Sequence, residues 1–511
     1  MRFAQSSIAC AARRVDIRRL GPSRRRSGPR PSWSILSSRS SSARPAAVWT
    51  RGRSSPSGEG AALPGDHCAT GTATARCRAP STPGSIEAAF KDEAAVSHSC
   101  IERPNRASTG TQAGRSITEI NRHHREVRTI LRRRDLVDPF FVGKFSFSPY
   151  HACAHGCLYC DGRAERYYVE GEFDKDIVVR INAPALLDTE LAKLRERGIV
   201  FIGSGVSDAY QPPERDELLM QACAVVLERR SMPVTLLTKS ALALRDIDTW
   251  TRLNAKAGVL MMMSITTLDD RLREIFEPTA SPVNERLATL AEFKARGIPI
   301  GVAAMPLLPF LADSESDLTM LATELRRIGV DFVLPGGLTL RPGRQKAVFF
   351  ETLSRSYPEL AGSYAELYAE DRASGAPLSD YARRFRRRVA SAFRSASLPT
   401  LVPHRLYRDR LPTYDEVHVL LHQMCDLYQD RPVAVGRLRA ALGRYTAWLQ
   451  ERKTVFNRRR RLRQSDIEAE LRGLAEGRGL ASLLDNERLS AFLRQVIVDR
   501  SVFDPLEREL L

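Results

Sequence analysis

The sequence predicts an α/β fold, an open, partial (β/α)6 TIM-like barrel with a basic low-complexity leader before it and a helical extension after it. Three observations carry this. Between residues 145 and 340, short apolar runs alternate with amphipathic runs of about 10–15 residues, the pattern of βα units on a parallel sheet. Six such units are too few to close an eight-stranded barrel. Beyond about residue 358 the spacing is mostly helical.

In chain order, residues 1–115 are rich in Ser, Arg, Pro, Gly and Ala, as in Arg24-Arg25-Arg26 and Ser40-Ser41-Ser42. No hydrophobic period runs through them, so they are expected to be disordered. Three origins compete for this segment: a basic tail, an Arg- and Ser-rich transit peptide, or a start codon assigned too far upstream. A tail or a misplaced start is favoured, and no function is assigned to it. Ile117 to Arg134 reads as basic and weakly helical. Phe145 to Tyr150 reads as a strand. Helix and strand patterns then alternate: Pro184–Arg197, Ile199–Gly203, Glu214–Arg229, Pro233–Leu237, Leu242–Leu253, Gly258–Ile265, Asn284–Arg296, Ile298–Ala304, Ser316–Ile328 and Asp331–Leu340. Gly297 and Gly329 stand where helix C-caps are expected. The core domain is placed at 135–350 and a helical region at 358–511. That region carries two basic runs, Arg383 to Arg388 and Arg458 to Arg463. Their plain interpretation is a solvated helix face; the sharper one is phosphate binding.

The net charge is +18, but residues 1–115 hold roughly +12 of it, so the folded part is only modestly basic. No uninterrupted apolar run approaches the ~18 residues of a membrane span. Nine cysteines do not form a disulfide framework. Cys10, Cys68, Cys77 and Cys100 lie in the leader, and Cys223 and Cys425 sit in helical patterns as single thiols. This usage fits a reducing, cytoplasmic setting.

The remaining three cysteines are Cys153, Cys157 and Cys160, in the spacing C-x3-C-x2-C within Ser148 to Gly162. A 4Fe-4S cube offers four irons to soft thiolate ligands. Three cysteines on one loop fill three corners and leave the fourth open. Gly156 permits a tight turn, and Tyr159 is an aromatic placed to pack beside a cofactor. Two alternatives stand beside this: a zinc site completed by His151 or His155, and a chance cluster of structural thiols. Other polar residues follow the later strands at the same rim: Ser207 and Asp208, Lys239, and Ser264.

The cysteine stretch resembles the signature of the radical S-adenosyl-L-methionine (SAM) superfamily. Residues 140–345 are similar to its spore photoproduct lyase-like branch. The resemblance rests on Ser148-Pro149-Tyr150, His155-Gly156-Cys157-Leu158-Tyr159-Cys160 and Gly205 through Glu214. It continues in Leu237-Thr238-Lys239-Ser240, Ser264 through Asp269, Glu277-Pro278 and Gly297-Ile298-Pro299. It implies a partial barrel of the radical SAM type and a 4Fe-4S cluster on Cys153, Cys157 and Cys160. It also implies SAM on the open iron, with Ser207, Lys239 and Ser264 among its contacts. A lysine at a strand end can pair with the SAM carboxylate, and hydroxyls can take the remaining polar atoms. Glu277 reads as a structural carboxylate at a helix end, and His151 and His155 as loop-shaping hydrogen bonders.

Two residues depart from that branch. Gly205 stands where the lyase has its hydrogen-donating cysteine, and Asp161 where it has a second aromatic. Photoproduct repair is therefore not the expected activity. The expected function is reductive cleavage of SAM to a 5′-deoxyadenosyl radical that acts on another substrate. An external electron donor of the flavodoxin or ferredoxin type is implied, with DNA or RNA as the leading substrate class. Two alternatives remain: a nucleic-acid-binding protein with a structural metal in the loop, and a radical SAM enzyme that modifies a peptide or small molecule.

Overall fold

A computed structural model describes residues 119–203, 205–429 and 432–504. They all fall in one compact unit, Ser108–Leu511. The leader at 1–115 lies outside the described residues.

Six parallel strands form the body of the molecule: β3 (Phe145–Phe147), β6 (Val200–Ile202), β7 (Val234–Thr238), β8 (Val259–Ser264), β9 (Ile300–Leu307) and β10 (Phe332–Gly337). They stand side by side in chain order. A short strand, β2 (Arg132–Arg133), pairs antiparallel with β3 at one edge, and β10 is the other edge. The sheet is therefore an open barrel of six βα units, as the sequence predicts. The continuous apolar runs follow from burial on both faces; every residue of β8, Val259-Leu260-Met261-Met262-Met263-Ser264, is buried.

Helices run between successive strands: α1 (Ala183–Leu191) precedes β6, α2 (Glu214–Glu217) and α3 (Leu219–Arg229) precede β7, and α4 (Ile247–Lys256) precedes β8. α5 (Asp270–Phe276) and α6 (Val283–Ala295) precede β9, and α7 (Glu315–Arg327) precedes β10. The single helix expected over Glu214–Arg229 is broken at Leu218, whose φ is +54°. α7 starts on a capping box between Ser314 and Asp317.

Two expectations are corrected. The segment around 117–134, taken as weakly helical, holds instead the strand β1 (Asn121–Arg125). It pairs parallel with β5 (Asp176–Arg180). All five β1 residues are exposed, so no burial period marks the sequence as a strand. The strand expected over Phe145–Tyr150 is split. Pro149 has no N–H to continue the ladder, and the chain resumes as β4 (Tyr150–His151) in the small sheet β1-β5-β4.

The two faces of the main sheet are covered differently. Val259, Met261, Met263, Val302 and Val333 pack outward, in one apolar cluster with Leu227, Trp250, Leu290 and Leu321 of the surrounding helices. α8 (Arg344–Ser356), α9 (Ala361–Leu367) and α10 (Ser379–Ser395) join that cluster through Phe349, Tyr364 and Phe385. Leu260, Met262, Ala303, Phe332 and Leu334 point inward. They share a second cluster with α11 (Thr413–Leu427), α12 (Pro432–Arg458), α13 (Gln464–Glu476), α14 (Gly479–Leu484) and α15 (Glu487–Ile497). The C-terminal helices thus fill the lower interior of the barrel. A buried charged quartet marks the junction. Lys453 of α12 donates to Glu196 at 2.9 Å and to Asp415 at 3.1 Å, and Lys144 lies 3.5 and 3.6 Å from the same two carboxylates. Among the described residues, no helix is long and apolar enough to cross a membrane.

Candidate active site

The cysteine loop follows β4 and sits at the C-terminal mouth of the barrel. Two residues give it its shape by leaving ordinary φ: Ala152 at +68° and Gly156 at +65°. The loop then closes on itself, with the Gly156 N–H on the Cys153 carbonyl at 3.2 Å and the Cys160 N–H on the Cys157 carbonyl at 3.3 Å. Arg163, itself buried, donates to the carbonyls of Cys157 and Gly156, both at 2.9 Å, and pairs with Asp174 at 3.0 Å. Gln211 holds the other side, accepting from the Ala154 N–H at 2.7 Å and donating to the Ala152 carbonyl at 3.2 Å.

Cys153 and Cys157 are buried, and Cys160 is partly exposed at the mouth. Burial pushes all three thiols up, Cys157 to about 12. The thiols also raise one another, Cys157 and Cys160 acting on Cys153 and Cys160 on Cys157. Thiols raised in this way are poor thiolates by themselves; bound iron is the charge that deprotonates such a set. Among the described residues, no three His, Cys, Asp or Glu side chains close up as a single-ion site. A cube takes one iron per thiolate and does not require that closure.

The remaining residues singled out in the sequence meet the loop from the strand ends. Lys239 follows β7, and its ammonium stands 5.9 Å from the centre of the Tyr159 ring. Its positive charge pulls against burial on Cys157 and Cys160, which sets it at the thiols. Ser207 is buried, and its hydroxyl accepts from Ser148 at 3.1 Å and from Gln211 at 3.4 Å. Ser264 ends β8 on the inner face. Asp208 lies beneath: it accepts the Lys239 N–H at 2.9 Å and the Thr238 hydroxyl at 2.7 Å. Its Oδ2 is 3.5 Å from His155 Nδ1, at ion-pair rather than hydrogen-bond range. Burial pushes the Asp208 carboxyl up, but the charge and proximity of His155 and the hydrogen bonds outweigh it and hold it at about 2.

Glu277 anchors the floor. Its carboxylate takes the Tyr159 hydroxyl, the Thr266 hydroxyl at 3.0 Å and the Arg286 guanidinium at 2.5 Å. Arg286 goes on to the carbonyls of Ser264 at 2.9 Å and Ser281 at 2.7 Å. Burial would raise Glu277; the charges of Arg286 and Lys239 overcome it and bring the carboxyl to about 2. Glu277 therefore fits the structural role expected of it. It fixes the phenol of Tyr159 and, through Arg286, the end of β8.

Where the resembling branch has an aromatic, Asp161 accepts the Tyr167 hydroxyl and the Arg341 Nε, each at 2.5 Å. A Cβ placed on Gly205 would lie 3.6 Å from that same Tyr167 hydroxyl. Sequence reasoning missed Arg163, Arg286, Tyr167 and Arg341. Arg341 acts through a partner far along the chain; Arg163, Tyr167 and Arg286 turn back on nearer residues, but no local spacing marks such a contact. Gln211 stood inside a quoted motif without a role. Two clefts, of about 320 Å³ beside Asp331 and Arg405 and about 410 Å³ beside Thr413 and Arg500, lie at the opposite end of the barrel and hold none of these side chains.

Fold and loop together define the class: an open βα barrel with a three-thiol loop at its C-terminal rim. The family profile described as the radical SAM superfamily matches residues 147–321. An uncharacterized protein of Mycobacterium tuberculosis is 30% identical over 283 residues, covering 54% of this chain and 79% of its own. An uncharacterized protein of Acidianus two-tailed virus is 27% identical over 202 residues, 35% of this chain and 62% of its own. Among solved structures, spore photoproduct lyase complexed with dinucleoside spore photoproduct overlaps 54% of this chain and 79% of its own, at 15% identity and a TM-score of 0.41. The chain belongs to the radical SAM superfamily.

Proposed function

We propose that Cys153, Cys157 and Cys160 hold a 4Fe-4S cluster whose fourth iron receives SAM. Bound there, the pair supplies reductive cleavage of SAM to a 5′-deoxyadenosyl radical. The observation that carries this is a loop of three free thiols at the barrel mouth, with the Lys239 ammonium 5.9 Å from the ring of Tyr159 in that same loop. Lys239 pairs with the SAM carboxylate as a point charge. The hydroxyls of Ser207 and Ser264 take neighbouring polar atoms. Tyr159, its phenol fixed by Glu277, offers its ring as a wall beside the cofactor. The burial around Cys153 and Cys157 keeps water from the loop, while the protein's part is orientation and electrostatics.

An external one-electron donor of the flavodoxin or ferredoxin type feeds the cluster, and the cytoplasm is the compartment that fits. The substrate class is DNA or RNA, supported by the sequence resemblance and the basic runs; this rests on analogy. Gly205 leaves the chain without the donor thiol of photoproduct repair, so the product differs from that of the lyase.

Anaerobic reconstitution tests the cofactor part. The expected result is a brown protein with four irons per chain that releases 5′-deoxyadenosine on reduction. A colourless zinc protein overturns it. Incubation with deuterated DNA, RNA or peptide, reading label in 5′-deoxyadenosine, tests the substrate class.

A further inference from the structure

The run Arg458 to Arg463 takes no part in the site described above, and the fold treats it differently from the other basic run. On α10, Arg383 pairs with Asp380 and Arg388 with Asp313 at 2.5 Å, and the exposed Arg384, Arg386 and Arg387 stand on a regular helix with no built turn beneath them. The second run joins α12 to α13. Arg458, Arg459, Arg460, Arg461 and Arg463 are all exposed. Among the described residues, none of their guanidinium groups meets a carboxylate; only the Arg463 backbone N–H does, on Asp466 at 2.7 Å.

The turn beneath these heads is nonetheless built. Arg195 donates to the carbonyls of Phe456 at 3.2 Å, Arg459 at 3.2 Å, Arg460 at 3.1 Å and Leu462 at 2.6 Å. Its guanidinium also lies 4.4 Å from the centre of the Phe456 ring. Arg133 reaches Asn457 at 3.1 Å, and the Arg197 N–H reaches Gln464 at 2.7 Å. One cation is thus spent on backbone carbonyls to hold five others outward. Arg195 and Arg197 lead into β6 from its N-terminal end, and Arg133 pairs with the first residue of β3. The platform is therefore at the foot of the barrel, opposite the cysteine loop.

Unpaired like charges at this density repel one another unless an anionic partner is present. Guanidinium heads on a fixed turn match phosphate oxygens by paired hydrogen bonds. We propose that the Arg458–Arg463 turn is a docking surface for the phosphodiester backbone of a nucleic acid, binding it without reading its sequence. This deepens the nucleic-acid part of the function proposed above and does not depend on the cluster. A strand held there is anchored at the foot and leaves the mouth free for the reacting segment.

The test is binding of the full chain to a fluorescent DNA duplex, a DNA single strand and an RNA hairpin across a salt series. The comparison is wild type against the triple substitution Arg459→Gln, Arg460→Gln, Arg461→Gln. Residues 1–115 carry roughly +12 of their own, so the difference between the two proteins is what is read. For duplex, the log Kd against log salt slope should be shallower by about 2–3 in the variant, near 0.9 per phosphate lost; for a single strand, near 0.7. Affinity at 100 mM salt should fall at least tenfold. The corresponding triple substitution Arg384→Gln, Arg386→Gln, Arg387→Gln on α10 should change both less than the turn variant does. The three arms show which nucleic acid binds best. Equal slopes for wild type and variant overturn the proposal, as does equal competition by polyglutamate and DNA. Dithionite-driven release of 5′-deoxyadenosine, read on the same preparations, should be equal in wild type and variant; its absence in both would sink the cluster assignment and leave the docking surface standing.

Discussion

Arg286 reaches Glu277 at 2.5 Å and, with another arm of the same guanidinium, the carbonyl of Ser264 at 2.9 Å. The strand end that carries Ser264 is thereby tied to the carboxylate that holds Tyr159. Glu277→Gln keeps the shape but leaves Arg286 buried without its counter-charge. Breaking a buried pair in this way costs about 3–5 kcal/mol, to be read as a shift in urea midpoint.

The same carboxylate sets an acid limit. Glu277 and Asp208 both titrate at about 2 in the folded protein, against about 4 in an unfolded chain. The stability they contribute is whole above about pH 4 and is lost as pH falls towards 2. Acid unfolding of Glu277→Gln should therefore show a shallower dependence on pH than wild type between pH 4 and 2. An unchanged slope would remove Glu277 from the acid transition.

Cys157→Ala removes one corner of the proposed cluster. Iron per chain should fall well below four and 5′-deoxyadenosine release should vanish. Retention of both would contradict the ligand assignment.

Lys239→Ala should leave iron content intact and weaken SAM binding. Losing one charge-assisted hydrogen bond costs about 1.5–3 kcal/mol, or about ten- to a hundredfold in Kd. Equilibrium binding to the reconstituted protein measures it, and unchanged affinity would take Lys239 out of the site.

Gly205→Cys should fold with stability within about 1 kcal/mol of wild type, since its new Cβ meets the Tyr167 phenol at 3.6 and 3.9 Å, ordinary contact distances. Gly162→Ala is the contrast. There a Cβ would lie 2.6 Å from the Gly205 carbonyl oxygen and 2.7 Å from the Phe173 ring, and thermal melting should show a clear loss.

Much of this architecture is legible in the sequence because parallel strands buried on both faces are written as plain apolar runs. Val259 to Ser264 and Ile300 to Leu307 appear within three residues of their predicted limits. The three cysteines are legible because their ligand chemistry demands a short spacing. What escapes is of two kinds. β1 is exposed along its whole length, so no period betrays it. The second kind is long-range partnership. Nothing at Asp161 announces that Arg341 reaches it across 180 residues of chain. Nothing in α11 or α12 says that Lys453 meets both Asp415 and Glu196 under the barrel. Periodicity reveals that those helices are amphipathic, not which surface they cover.

Gln211 grips the cysteine loop with both ends of its amide and also reaches the hydroxyl of Ser207. The thiol-bearing segment and the serine-bearing turn are therefore yoked through one side chain. A displacement on either side is transmitted to the other. Redesign of the cofactor pocket has to treat the two as a single moving part, because neither can be retuned while its neighbour stays put.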